Sequence, residues 1–189
     1  MRGPETQKHH QRRIDSGFYD KYMQGVGLDI GWRGSDKTTE PVLPTSIGID
    51  TDYPGYDGKK LPFPDQSQDY IFNSHCLEHI DDYKAVIRDW FRVLKTNGHL
   101  IIIVPHQYLY ERKLSKPSIW NRGHKRFYSP ASLLKEIEDS LEPNTYRIRH
   151  LRDNDDKFNY NIIPPSHPCG GYEIELVLQK INPPTWKMS

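Results

Sequence analysis

The sequence predicts an α/β domain with a mostly parallel central sheet, helices on both faces and an antiparallel C-terminal edge. Three observations predict it. Short apolar segments that end in Gly or Asp, or run into polar residues, recur at residues 26–30, 47–49 and 69–73, as buried strands do. An amphipathic pattern over residues 82–95 runs into a nearly all-apolar stretch at 99–104, the helix-then-strand order of a right-handed crossover. Two alternating segments, 146–151 and 172–181, come last and read as an antiparallel edge.

Residues 1–13 carry Lys8, Arg12 and Arg13 with few apolar partners and read as a mobile arm. Ile14, Phe18, Tyr19 and Tyr22 follow at helical spacing, interrupted at Gly17, and predict a short helix. Residues 1–23 are therefore expected to form an N-terminal arm and lid helix, with the rings of Phe18, Tyr19 and Tyr22 covering a ligand. Residues 24–189 are expected to form a single domain. Pro41 and Pro44 make 35–46 a loop rather than a helix, and 51–68 is rich in Pro, Gly and Asp and irregular. Tyr83, Val86, Ile87, Trp90, Phe91 and Leu94 share one helical face, with Asp81 or Asp82 as cap and Asn97-Gly98 as the stop. The run at 99–104, closed by Pro105, suits a central strand covered on both faces. Residues 105–128 make a long connection rich in His, Tyr, Arg and Trp, where function tends to concentrate. Ser129-Pro130 opens a helix to about Glu138.

At 189 residues the chain suits one domain. Its 35% apolar and 12% aromatic content supports a compact, aromatic-rich core. Lys and Arg number 26 against 25 Asp and Glu, so a net charge of +1 makes no field that gathers nucleic acid. The longest strongly apolar run, 100–104, falls far short of a membrane span, and residues 1–13 lack the apolar stretch of a signal peptide. Cys76 and Cys169 make neither a disulfide framework nor a four-ligand zinc site. A soluble cytoplasmic domain, monomer or homodimer, is the expectation.

In an open parallel sheet, ligands bind beyond the carboxyl ends of the strands. Three segments leave strand ends with suitable chemistry. Gly31, closing Gly27-Leu28-Asp29-Ile30-Gly31, lets backbone approach a ligand closely. Asp50, closing Ile47-Gly48-Ile49-Asp50, offers a carboxylate to a ribose diol. The third is a set of ordered motifs: Asp57-Gly58-Lys59-Lys60-Leu61-Pro62-Phe63-Pro64-Asp65, Ser74-His75-Cys76-Leu77-Glu78-His79, and Arg92-Val93-Leu94-Lys95-Thr96-Asn97-Gly98.

With these motifs the sequence resembles the class I S-adenosylmethionine-dependent methyltransferases, in the type 11 branch, over about residues 24–135. The resemblance implies a Rossmann-like fold, S-adenosyl-L-methionine as cofactor, and a role for each matched position. Gly31 would lie against the amino-acid portion of the cofactor, with Asp29 nearby. Asp50 would hold the ribose, and Asp57 with the Gly58 backbone would read the adenine edge. Asn73, Ser74 and His75 would line the methionine side, and Leu77, Glu78 and His79 would shape that wall. The sequence departs from the family's glycine loop. Arg33 stands at its second glycine and Ser35 at its third, Gly34 is out of step, and Trp32 replaces a small residue. Arg33 is thereby a candidate partner for the cofactor carboxylate.

The resemblance also implies methyl transfer to a small acceptor, with a sugar hydroxyl as the first choice. His106, at the tip of the strand 99–104, and His124, in the connection after it, are the candidate general bases, because an imidazole titrates near neutral pH. Two alternatives remain open. Trp32 and Arg33 suit a module that binds cofactor without transfer. Arg112, Lys113 and 124–126, interleaved with Tyr108, Tyr110, Trp120 and Phe127, suit a nucleic-acid surface or the wall of an acceptor pocket. The near-neutral charge favours the pocket. The Asn/Asp-Pro-Pro-aromatic tetrapeptide of amino-methylating nucleic-acid enzymes does not occur. His75 and His79 are one helical turn apart but lack a third ligand in sequence, so no metal is expected.

Overall fold

The computed structural model describes residues 2–33 and 38–186. Its six strands are β1 (Gly27–Ile30), β2 (Ser46–Ile49), β3 (Gln68–Ser74), β4 (Leu94–Pro105), β5 (Tyr146–Asn154) and β6 (Glu173–Lys180). They form one sheet in the order β2-β1-β3-β4-β6-β5. The first four strands are parallel, and β6 runs against both of its neighbours. The edge strand β5 therefore points the same way as β1–β4.

The alternation along the strands creates two cores, one on each face. Leu28, Ile71, Leu100, Ile102, Leu176 and Leu178 point to one face, where α4 (Tyr83–Val93) and α5 (Pro130–Ser140) cover them with Val86, Trp90, Leu133 and Ile137. The Asp82 carboxylate caps α4 by accepting from the Ala85 amide at 3.2 Å, and Ser129 caps α5 reciprocally with Ser132. Tyr70, Phe72, Ile101, Ile103 and Val177 point to the other face.

That second face corrects the reading of the N-terminus. Residues expected to be a mobile arm fold as α1 (Pro4–Lys8) and α2 (His10–Asp15), and Gly17, at φ +68°, turns the chain into α3 (Phe18–Tyr22). The rings of Phe18, Tyr19 and Tyr22 turn inward to the sheet. They are buried in the second core, with Phe18 and Tyr22 edge-on at 5.1 Å. Arg13 is fully buried on β6, donating to Glu173 Oε2 at 3.0 Å and Glu175 Oε1 at 2.8 Å. A guanidinium with two carboxylates beneath it is a docked anchor, and its partners lie 160 and 162 residues away in sequence.

Asn97-Gly98 is also not a helix stop. The helix ends at Val93, and Leu94 already pairs with Gln68. Asn97, at φ +67°, and Gly98 form an irregularity where β4 enters the sheet, and a Cβ on Gly98 would stand 2.6 Å from the Asp69 carbonyl oxygen. Among the described residues, no helix is long and apolar enough to cross a membrane.

Candidate active site

The tips of β1, β2 and β3 converge as the topology requires. Gly31 has φ +75° and donates its amide to the Ile49 carbonyl at 2.8 Å. A Cβ there would stand 2.7 Å from the Cys76 Cβ, so glycine is needed for the turn after β3 to pack against the turn after β1. Trp32 lies over Gly48 of β2, where a Cβ would come within 2.7 Å of the indole. Gly48 is thus the counterpart of Trp32, a pairing that the sequence reading missed. Arg33 forms an ion pair with Asp52 and lies 5.4 Å from the Trp32 ring, so its charge already has a protein partner. Gly34 and Ser35 lie outside the described residues.

A cleft of about 130 Å³ opens here, with residues 3–6 on one side and residues 31–33, Ser74 and His75 on the other. Near it stand several buried polar atoms without hydrogen-bond partners. Asp50 spends Oδ1 on the Thr51 amide at 2.8 Å, while its Oδ2 is buried and unpartnered. Asn73 donates to the Ile30 carbonyl at 3.1 Å and leaves Oδ1 without a partner, as is Ser74 Oγ. Burying such atoms is unfavourable unless something accepts or donates to them.

His75 has φ +52°, and its Nε2 lies 3.0 Å from Glu173 Oε1. Glu173 Oε2 accepts from Arg13 and, at 2.8 Å, from Asn154 Nδ2. Burial disfavours charge on both partners. Even so, Arg13 and His75 hold the Glu173 carboxyl well below its ordinary range. The hydrogen bond His75 donates to Glu173, with the charges of Glu173, Glu78 and Glu5, raises the imidazole above its usual value against that same burial.

The other expected site residues are distributed differently. Asp29 points into the second core, where its Oδ2 accepts from the Val42 amide at 2.7 Å, and burial pushes its pKa up to about 7. Asp57 is exposed and caps its own turn, accepting from the Lys59 and Lys60 amides at 2.9 and 2.6 Å. Those bonds lower its pKa, and Gly58 supplies the φ of +84° the turn needs. Neither expected base borders the cleft. His106 Nδ1 accepts from the Tyr108 amide at 3.0 Å, with Nε2 3.5 Å from Asp153, toward the β5 edge. His124 is buried, with Nδ1 bound to Glu111 and Nε2 3.9 Å from Glu78 Oε1.

Arg92 donates to the carbonyls of Phe63 and Leu61 at 2.9 and 3.1 Å and pairs with Asp89 and Asp65 at 2.7 Å, clamping the Leu61-Pro62-Phe63-Pro64-Asp65 loop to α4. Arg126 binds the Leu77 and Ile80 carbonyls and pairs with Glu136 at 2.9 Å, and Arg112 donates to the Ile162 carbonyl at 2.7 Å. These cations work inside the fold rather than on a nucleic-acid surface.

Residues 25–102 match the family model described as a methyltransferase domain. The chain is 46% identical over 44 residues to a demethylmenaquinone methyltransferase of Listeria welshimeri, covering 23% of this chain and 19% of that protein. It is 42% identical over 45 residues to a ubiquinone/menaquinone biosynthesis C-methyltransferase of Vibrio campbellii, covering 24% and 17%. These alignments span about a fifth of the relatives' length. Among solved structures, a SAM-dependent methyltransferase from Aquifex aeolicus superposes with a TM-score of 0.56 at 14% identity, covering 93% of this chain and 92% of that one. Another from Archaeoglobus fulgidus gives 0.54 at 16%, covering 93% and 94%.

Proposed function

We propose that the protein transfers the methyl group of S-adenosylmethionine to a small-molecule acceptor and releases S-adenosylhomocysteine, a reading supported by the match of residues 25–102 to a methyltransferase-domain model. The observation that carries this reading is Asp50. Its orphaned, buried Oδ2 stands at the tip of β2, where the resemblance puts the ribose. The Asn73 and Ser74 oxygens add two more unsatisfied atoms at the tip of β3.

S-adenosylmethionine, when bound, supplies a methyl already activated by the sulfonium, so the protein's work is alignment and proton transfer. Asp50 binds the ribose diol. Ser74 and Asn73 orient the methionine side. His75 borders the cleft with Nε2 bound to Glu173 and Nδ1 3.7 Å from Glu78 Oε1, and it is the imidazole placed to take the acceptor proton. For a hydroxyl acceptor, the bound cofactor would supply the methyl and His75 would take the hydroxyl proton.

The cleft is well under the roughly 300–1,000 Å³ of a small-molecule site. Residues 3–6 are therefore the segment that withdraws to admit the cofactor, and they take over the covering role expected of Phe18, Tyr19 and Tyr22. A second reading, a binding module without transfer, draws support from Trp32 over Gly48 and Arg33 on Asp52. Calorimetry with S-adenosylhomocysteine, followed by release of labelled methyl onto candidate acceptors, tests both. Absence of binding ends both readings, and binding without transfer to any acceptor favours the second.

A further inference from the structure

The long connection after β4 returns two side chains, Glu111 and His124, to the turn that follows β3. There they meet Glu78 and His79. One ligand atom from each of Glu78, His79 and His124 lies within 4.8 Å of the other two. Glu78 Oε1 is 3.9 Å from His124 Nε2 and 4.0 Å from His79 Nε2. The far sides of both rings are fixed. His124 Nδ1 is bound to the Glu111 carboxylate, and the Nδ1 edge of His79 lies against Gly123, whose backbone it hydrogen-bonds. With protons on both Nδ1 atoms, both Nε2 lone pairs point at Glu78. A carboxylate or carbonyl behind each imidazole is the support that metal-ligating histidines use.

Glu78 supplies the independent observation. It is fully buried, and neither of its carboxylate oxygens has a hydrogen-bond partner. Glu111 Oε2, also buried, is unpartnered too. Two carboxylates are thus enclosed together, and among the described residues the other ion-pair neighbour of Glu78 is His75, with Nδ1 3.7 Å from Oε1. Burying a carboxylate without a cation or hydrogen bonds is strongly unfavourable.

We propose that Glu78, His79 and His124 bind one divalent transition-metal ion of the zinc type, with Glu111 orienting His124. Two imidazole nitrogens and one carboxylate oxygen suit such an ion, and solvent completes the fourth position. Bond lengths of about 2.0–2.1 Å bring tetrahedral ligands to about 3.3 Å apart, so the group closes by roughly 1 Å. His79, 36% exposed, marks the way in. The ion would pin the 105–128 connection to the turn after β3. This site does not depend on the methyl-transfer reading.

The test uses tag-free protein stripped with a chelator and titrated with Co²⁺. One saturable equivalent with visible absorption, displaced by Zn²⁺ and accompanied by a rise in Tm, is expected. His79→Ala and His124→Ala should each weaken binding at least 100-fold, and Glu111→Gln about 10–100-fold. No saturable binding by the wild-type chain overturns the proposal, and that measurement needs no variant to fold. Binding unchanged in His79→Ala and His124→Ala overturns it as well. Loss confined to His75→Gln would assign the ion to Glu5, His75 and Glu173 instead, and also overturns it.

Discussion

His75 and Glu173 stand 98 residues apart in sequence and meet at 3.0 Å, on the border between the cleft and the buried Arg13 cluster. The pairing gives the cleft an imidazole whose proton affinity is set by a carboxylate that is itself held ionised.

The pH profile of transfer follows from it. The His75 pKa is raised, so the imidazole gains its base form only above its usual value, and kcat should climb through neutral pH to an alkaline plateau. Glu173→Gln removes the charge that raises it and should shift the limb toward acid. His75→Gln should lower kcat by about 10²–10⁴ with a smaller change in KM. A flat profile in the wild type would exclude His75 as base.

Asp50→Ala should weaken S-adenosylhomocysteine binding by about 2–3 kcal/mol, the scale of two hydrogen bonds to a charged acceptor. Calorimetry reads this directly. Affinity equal to wild type would remove Asp50 from the ribose.

Arg13→Ala leaves Glu173 and Glu175 buried without their shared cation. About 3–5 kcal/mol should be lost from the unfolding free energy. Both carboxyls are depressed in the fold, so their contribution is complete above the unfolded value of 4.5 and falls away as pH drops toward the folded values. Urea midpoints at pH 7 and pH 3 should show the difference between wild type and Arg13→Ala shrinking in acid.

Asp29 has the opposite sign. Its folded pKa is pushed up to about 7 from an ordinary 3.8, so the native state holds a proton that the unfolded chain has released. Stability from this group is complete below pH 4 and declines as pH rises to 7, by about 1.4 kcal/mol per unit at most. Asp29→Asn should flatten that decline in urea midpoints between pH 5 and 8, because an amide oxygen still accepts from Val42. An unaltered slope would show that another group carries it.

Local patterns made most of the sheet legible. The apolar face of α4 and the run at 99–104 announce themselves through periodicity, and β1–β3 through short apolar segments with a polar stop. The place of Asp50 at a strand tip was readable from the apolar run before it. Arg13 was not, since a charged residue among polar neighbours looks solvated until β6 arrives beneath it. The grouping of Glu78 and His79 with His124 was hidden for the same reason. His79 and His75 carry the helical spacing in sequence, but the partner that converges on His79 comes from another loop. Position in a strand or loop did not reveal the neighbours of Asp29 and Arg33: Asp29 accepts from the Val42 amide, and Arg33 pairs with Asp52.

The docking of Arg13 on Glu173 and Glu175 has a consequence during synthesis. α1–α3 are synthesised before β6, yet β6 lies between β4 and β5 inside the sheet. A nascent chain shorter than 173 residues has no counter-ion for Arg13, and Phe18 and Tyr22 have only part of the surface that buries them. Residues 3–6 then have no fixed place beside residues 31–33. The cleft bordered by residues 3–6 is therefore assembled only after translation has passed residue 175, and a product cut short of β6 is both open at that cleft and sticky on one sheet face.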